Sequence, residues 1–182
     1  LAQMIGGVSR YGARAIVLHI IIAEPDLGRE DDDRYLIEVA QATPNAFFPM
    51  VRLDAADHAR GLSLEEHGEK LGFTRTGAAE PGARVALLLP FQAIAETGRI
   101  GSINSRPDSD GVFRRYYVHL DAGGWQIPSL AARVTEAVGY PLPQSADVEM
   151  NWRGTIESRV AHSFSDVFAD LDRERPERYA EL

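Results

Sequence analysis

The chain has 182 residues, with 27 acidic side chains against 19 basic ones, five histidines and no cysteine. The lack of cysteine excludes disulfide bonds, cysteine-ligated zinc, iron–sulfur clusters and thiol nucleophiles. The formal net charge of −8 argues against general nucleic-acid binding, because such proteins neutralise phosphates with a basic surface. Length and composition indicate one globular domain over residues 1–182.

The longest apolar runs, residues 15–23 and 85–91, are far shorter than the ~20 residues that cross a bilayer. Neither run has the basic start and small-residue cleavage site of a signal peptide. The chain begins at Leu1 in the middle of a helical pattern, so we expect it to belong to a longer protein. Membrane helices on either side of this sequence are compatible with that expectation.

The N-terminal quarter predicts a helix followed by a strand–helix–strand unit. Apolar residues at helical spacing predict a helix over residues 1–11, and the β-branched run 15–23 predicts a strand covered on both faces. The acidic residues 31–33 predict the cap of a second helix. The run 46–53 predicts a second strand, in which Pro49 marks an edge or a bulge.

The middle of the chain is less regular. Residues 54–82 predict a loop with one short helix, and residues 90–97 predict a helix that ends at Gly98. Residues 85–89 are compatible with a strand and with the start of a helix, because periodicity cannot decide so short a run.

The centre predicts an antiparallel meander of three strands, over residues 100–105, 112–120 and 125–127. A helix is then predicted from Pro128-Ser129 to Gly139, followed by a strand over 148–152 that turns at Gly154. Taken together, the pattern predicts an α/β fold: a single domain with a mixed β-sheet and a central antiparallel meander flanked by helices.

The C-terminal segment predicts one more helix, which begins at Ser163 or Ser165 and carries Phe164, Phe168 and Leu171 on its apolar side. The charged tail after Leu171 is expected to fray. The predicted core of the domain therefore covers about residues 10–171.

The string Asp-Ser-Asp-Gly at residues 108–111 is similar to the start of a calcium-binding loop. With Gly111 as the sixth position of an EF-hand, the first is Arg106 and the twelfth is Tyr117, and neither is a suitable ligand. The string therefore favours a structural turn between strands over a metal site. No metal site is predicted.

The same turn carries opposite charges close together. Asp108 or Asp110 is expected to pair with Arg114 or Arg115 across the turn, which would brace the loop.

The sequence around two of the histidines allows an interpretation of their environment. His19 interrupts an apolar run, which favours a hydrogen-bonded histidine in the core. His119 shares a strand face with Arg115 and Tyr117, a combination suited to an anionic or polar ligand. A solvated outer sheet face explains that combination equally well.

The chain lacks the Gly-x-Ser-x-Gly elbow, the phosphate-binding loop, the dinucleotide glycine pattern and the His-Glu-x-x-His motif. No catalytic residue and no cofactor is predicted. The residues therefore favour a binding or sensory module over an enzyme.

Several short motifs occur in a characteristic order between about residues 10 and 170. They are a helix stop, apolar strand and Glu-Pro turn (11–26), Gly-x-x-Asn (101–104), Asp-x-Asp-Gly-x-x-Arg-Arg (108–115), Pro-Ser-Leu-Ala (128–131), Asn-aromatic-x-Gly (151–154) and Ser-x-x-Asp-Val (163–167). This ordered set resembles the type-two CHASE sensory domains. The family usually has an acidic residue where this chain has His19.

The resemblance implies an extracytoplasmic (periplasmic) sensory domain of a bacterial inner-membrane receptor, without catalytic activity of its own. Its first helix and its C-terminal tail would lead toward membrane helices outside this sequence. The output would be a cytoplasmic adenylate or guanylate cyclase, histidine kinase, Ser/Thr kinase or diguanylate cyclase.

The resemblance names no ligand-binding residue, because the family's ligands are largely undefined. It transfers Asp108, Asp110, Gly111, Arg114 and Arg115 as motif positions, interpreted as structural. The expected partners are an unidentified small molecule or environmental signal, the membrane helices of the parent protein and a second copy in a homodimer, with no nucleic acid.

Two other functions remain open. One is a soluble α/β hydrolase or transferase with an unrecognised active site around His119 and Asp110. The other is a purely structural dimerisation domain that binds no small molecule.

Overall fold

The computed structural model describes residues 1–151 and 160–173. Its helices are α1 (Ala2–Arg10), α2 (Glu30–Ala42), a 3₁₀ helix (Ala55–Arg60), α3 (Leu64–His67), α4 (Gln92–Ala95), α5 (Leu130–Ala137) and α6 (Phe164–Asp172). Its strands are β1 (Ile16–Val17), β2 (Ala46–Arg52), β3 (Leu62–Ser63), β4 (Thr74–Arg75), β5 (Arg84–Val85), β6 (Leu87–Leu88), β7 (Ile100–Ser102), β8 (Arg115–Tyr117), β9 (His119–Ala122), β10 (Trp125–Pro128) and β11 (Asp147–Glu149). This mixture of helix and strand confirms the predicted α/β class.

Strand β2 is the centre of a mixed sheet. It pairs in parallel with β1 and with β7, and antiparallel with β6. The connection from β1 through α2 to β2 is the predicted strand–helix–strand unit. Residues Ala46 to Met50 of β2 are all buried, because helices and loops cover both faces of this strand.

Pro49 lies in this central strand without disrupting it. The backbone of Phe48 and Met50 bonds to the β7 side, where the Phe48 N–H donates to the Arg99 carbonyl. The opposite side pairs with β1 up to Phe47 and with β6 from Val51 onward. Pro49 falls between those two partners, where the strand requires no N–H donor.

The first strand is much shorter than predicted. Only Ile16 and Val17 form β1, and the chain leaves β2 after the Leu18 N–H donates to the Phe47 carbonyl at 3.0 Å. Leu18 is buried, whereas Ile20 is 63% exposed. A strand covered on both faces is therefore wrong for residues 18–23, because the segment passes out of the sheet.

The prediction of a core histidine at His19 is also wrong. His19 follows the end of β1 and is exposed. Its position between apolar neighbours does not bury it, because residues beyond the end of the ladder alternate into solvent.

The predicted three-stranded meander is wrong in its connections. Strand β7 pairs in parallel with β2 and contributes to the central sheet, whereas β9 and β10 form an antiparallel hairpin to which β4 adds. Strand β8 pairs with β11 instead. Local turn signals gave the strands but not their partners, because a strand pairs wherever its buried face finds a complement.

Residues 54–82 are more ordered than predicted. They contain the 3₁₀ helix, β3, α3 and β4, held to the core by buried Leu64, Leu71 and Phe73. The ambiguous run 85–89 is extended, forming the end of β5 and all of β6.

The acidic residues at the start of α2 do not cap it as predicted. The Asp33 carboxylate accepts the Asp26 N–H at 2.9 Å, and Glu30 accepts the Gly28 N–H at 3.2 Å. These two carboxylates thus bind the loop that precedes α2, and the N-cap residue of the helix is Arg29. Their charge still lies in the first turn, where the helix dipole favours it.

Helix α5 begins as predicted, because the Ser129 hydroxyl accepts the Ala132 N–H at 3.1 Å. Helix α6 begins after Ser163, whose hydroxyl contacts the Ser165 hydroxyl at 2.6 Å and does not cap the helix backbone. The predictions for Trp152, Gly154 and the tail beyond residue 173 lie outside the described residues.

Candidate functional site

The turn at residues 106–115, here called the Arg114 loop, is closed by hydrogen bonds within its own backbone. The Asp108 N–H donates to the Val112 carbonyl and the Gly111 N–H to the Asp108 carbonyl, both at 2.9 Å. Gly111 has φ of +82°, a conformation that favours glycine. The motif therefore needs glycine at this position for backbone reasons.

The charged side chains of the Arg114 loop bind one another, as predicted. Arg114 donates Nη1 and Nη2 to the two oxygens of Asp110, each at 2.8 Å, and Nη1 also donates to Asp108 at 3.2 Å. Arg115 lies 3.8 Å from Asp108 and 3.5 Å from Asp147 of β11. The acidic pair is thus neutralised within the protein, and the loop is linked to the β8–β11 ribbon.

Arg114 lowers the pKa of Asp110, with a smaller effect from the Val112 N–H that also bonds its carboxylate. Because the pKa of Asp110 is lowered in the folded protein, its pairing with Arg114 stabilises the fold fully above the ordinary pKa of aspartate. This stabilisation is lost as the pH falls through the pKa of Asp110 in the folded protein. We expect an NMR titration of Asp110 to show a pKa below the ordinary value. Arg114→Gln is expected to raise it toward that value.

Arg106→Gln is the matched control for this titration, because Arg106 belongs to the same loop but makes no ion pair with Asp110 among the described residues. It should leave the Asp110 pKa unchanged. An equal rise in both variants would show that general loop charge, and not the Arg114 fork, sets the pKa.

Two further motif residues serve the backbone of the central sheet. The Asn104 side chain accepts the Arg52 N–H at 2.7 Å and donates to the Arg52 carbonyl at 2.9 Å. It therefore acts as an additional rung beside β2. Gly101 allows α5 to approach β7, since a Cβ there would lie 2.3 Å from the Leu130 Cα.

Sequence reasoning missed two half-buried arginines, Arg99 and Arg133. Each donates Nε and Nη2 to two backbone carbonyls: Arg99 to Ala46 and Ala40, and Arg133 to Ile100 and Gly72. Burial lowers the pKa of both side chains. No sequence signal distinguished them, because an arginine in a loop or on a helix is usually a surface residue.

Two cavities have mainly apolar walls. One, of about 260 Å³, lies between α3 and α4 and is lined by Leu62, His67, Lys70, Leu71, Leu89, Pro90, Gln92, Ala95 and Glu96. The other, of about 270 Å³, lies between α5 and the β8–β11 ribbon and includes Tyr116, Tyr117, Leu142 and Val148. Both are near the lower limit of size for a small-molecule site.

A third, smaller cavity of about 80 Å³ has both polar and apolar walls and shares Val118 and Leu142 with the second cavity. We call it the Arg133 cavity. It is lined by Gly72, Thr74, Val118, His119, Gln126, Pro128, Arg133, Glu136 and Leu142. His119 therefore lines the same cavity as Arg133, whereas Asp110 lies in the Arg114 loop and does not line this cavity.

The first and last described helices pack against each other. Gly7 of α1 is buried, and a Cβ added there would lie 2.6 Å from a terminal methyl of Leu171 in α6. We call this the α1–α6 contact. The adjacent Gly6 faces Val39 of α2 instead, with room for a Cβ at 3.6 Å. The two terminal helices are therefore in close contact at Gly7 and Leu171.

Among the described residues, two arginines of the Arg114 loop thus pair with Asp108, Asp110 and Asp147. The model of the CHASE2 domain family matches residues 1–180, and the chain belongs to that family of sensory domains. The predicted resemblance is confirmed. No curated protein and no solved structure matches the chain.

No helix among residues 1–151 and 160–173 is long and apolar enough to span a membrane. CHASE2 domains are sensory and not catalytic, which agrees with the prediction that this domain is not an enzyme. The interpretation of the five motif residues Asp108, Asp110, Gly111, Arg114 and Arg115 as purely structural stays a prediction.

Proposed function

We propose that this chain is the extracytoplasmic sensory domain of a membrane-anchored bacterial receptor that controls a cytoplasmic cyclase or kinase. Family membership supports the sensory role. The observation that carries the proposal further is the α1–α6 contact, because it joins the two ends of the described fold. Helices that enter and leave the domain side by side are suited to pass a displacement to membrane segments.

In this mechanism, a signal shifts the population of two arrangements of the domain. Helix α5 packs on β2 and β7, β2 pairs with β1, and α1 contacts β1, α2 and α6. A ligand that moves α5 relative to the sheet therefore has a packed path to the terminal helices.

The alternative of a hydrolase or transferase around His119 and Asp110 has less support. Both Asp110 oxygens already accept hydrogen bonds from Arg114, so this carboxylate is not available as a free base. His119 lies in a different cavity, with Arg133 and Glu136.

The location can be tested in the full-length parent protein by a single cysteine, since this chain contains none. Gly77 has an ordinary φ and no atom within 4 Å of an added Cβ, so Gly77→Cys should fold normally. We expect it to react with a membrane-impermeant maleimide in intact cells from which only the outer membrane barrier is removed.

The parent protein without the added cysteine measures background labelling, and lysed cells measure the total. Labelling of Gly77→Cys only after lysis would place the domain in the cytoplasm and contradict the proposal.

A further inference from the structure

The Arg133 cavity is lined by two opposite charges, Arg133 and Glu136, and the structure shows no ion pair between them. Within residues 1–151 and 160–173, the bonds to Ile100 and Gly72 use two of the five guanidinium N–H donors of Arg133 and leave three. Arg133 makes no ion pair among the described residues, although Glu136, one turn along α5, attracts it more weakly. Burial lowers the pKa of Arg133, so the charged form gains from any anion that reaches it.

The bonds to backbone carbonyls use Nε and one hydrogen of Nη2. The remaining hydrogens belong to Nη1 and Nη2, the pair that forms the end-on fork of a guanidinium. This fork matches the two oxygens of a carboxylate. Bonding to Ile100 and Gly72 also immobilises the side chain, which reduces the entropy that a ligand would have to overcome.

The other polar groups of the cavity complement an anion. His119, Gln126 and Thr74 each line it and can donate a hydrogen bond. Val118, Pro128 and Leu142 supply an apolar wall. A volume of about 80 Å³ equals that of about three water molecules, which limits the ligand to a few heavy atoms.

A comparison with Arg99 shows that a half-buried arginine alone does not define a candidate binding site, and that the cavity around Arg133 is the difference. Arg99 is also half-buried, also has a pKa lowered by burial and also donates Nε and Nη2 to two carbonyls. It lines none of the three cavities described above. Bonds to backbone carbonyls account for Arg99, whereas Arg133 also lines a cavity that contains three further hydrogen-bond donors, Thr74, His119 and Gln126.

We propose that the Arg133 cavity binds a small carboxylate anion, held end-on by Arg133 and assisted by His119, Gln126 and Thr74. The proposed binding of the anion does not depend on the proposed sensory function. Only the role of the anion as the sensed signal rests on that function, and the bound anion would act by drawing α5 toward β10 and the turn at Gly72.

The test is an NMR titration of the purified 182-residue chain with sodium acetate at constant ionic strength. We expect saturable shifts of the amide signals of Gly72, Gln126 and Arg133. Acetamide has the same size and shape without the charge, and it should give no saturable shifts. Equal responses to acetate and acetamide, or to acetate and chloride, would overturn the proposal.

Two variants distinguish specific acetate binding at Arg133 from a general effect of the positive charge of the protein. Arg133→Gln should weaken acetate binding by about tenfold or more, because it removes a charge-assisted bidentate contact. Arg99→Gln, the matched control, should leave the affinity unchanged. Equal weakening in both variants would contradict a specific site.

The variant Glu136→Gln is an independent test of the proposal, because it keeps Arg133 and its bonds to the backbone carbonyls. Because it removes the nearest negative charge of the cavity, acetate should bind a few-fold more tightly. Unchanged or weaker binding would argue against an anion beside Arg133, even if Arg133→Gln fails to fold. Acetate binding without any effect on the parent's output would leave the site intact and contradict only its signalling role.

Discussion

Replacing Gly101 with alanine is expected to lower the free energy of unfolding by about 3 kcal/mol, the upper range for overpacking a core. The new Cβ would lie 2.3 Å from the Leu130 Cα and 2.5 Å from its nitrogen. These are backbone atoms at the start of α5, so no side-chain rotation can relieve the contact. Helix α5 would have to move away from β7.

This displacement has a second consequence. Arg133 lies on α5 and bonds to the carbonyl of Ile100, the residue before Gly101. We therefore expect Gly101→Ala to disturb the Arg133 cavity as well as stability. Urea unfolding followed by circular dichroism measures the first effect, and the acetate titration measures the second.

Gly77→Ala is the matched control, since a Cβ at Gly77 meets no atom within 4 Å and its φ is ordinary. Its effect on unfolding should stay within about 0.5 kcal/mol. A loss for Gly101→Ala no larger than that of Gly77→Ala would show that α5 does not approach β7 as closely as described.

The second large effect is expected on signalling, at the α1–α6 contact. Gly7→Ala in the full-length parent protein should change the basal cyclase or kinase output several-fold, because the new methyl would lie 2.6 Å from Cδ2 and 3.2 Å from Cγ of Leu171, so the packing of this side chain between α1 and α6 has to change. Coupling changes of about 0.5–2 kcal/mol are typical of residues between two communicating sites. The measurement is output activity in membranes, normalised to the amount of protein.

Gly6→Ala is the control for Gly7→Ala, because both glycines belong to α1 and gain the same helix propensity from alanine, about 1 kcal/mol. A Cβ at Gly6 meets Val39 at an ordinary 3.6 Å. Only Gly7→Ala should change the output. Equal outputs in the two variants would mean that the α1–α6 contact does not carry the signal.

Local sequence patterns predicted those features of the fold that depend on residues close together in the sequence. The helix over residues 1–11, the helix start at Ser129 and the α/β class follow from periodicity, capping and turn residues. The pairing of Arg114 with Asp110 was also predictable, because opposite charges on both sides of a tight turn are held within reach of each other.

The candidate sites could not be predicted in the same way. Arg133 bonds to Gly72 and lines a cavity with His119 only because α5 packs beside β7 while β10 pairs with β9 and β4. These are contacts between segments far apart in sequence. The predicted assignment of one domain to residues 1–182, the homodimer and the absence of a metal or nucleic-acid partner stay predictions.

The sequence by itself determined the chemistry that this protein lacks, its α/β class, the family motifs and the internal pairing of the Arg114 loop. Those properties depend on composition or on residues a few positions apart. The tertiary structure decided that β7 pairs in parallel with β2, that His19 is exposed and that Arg133 is half-buried, with no ion pair among the described residues. The physical reason is burial: it depends on which distant segments cover a residue, and a run of apolar letters does not specify them.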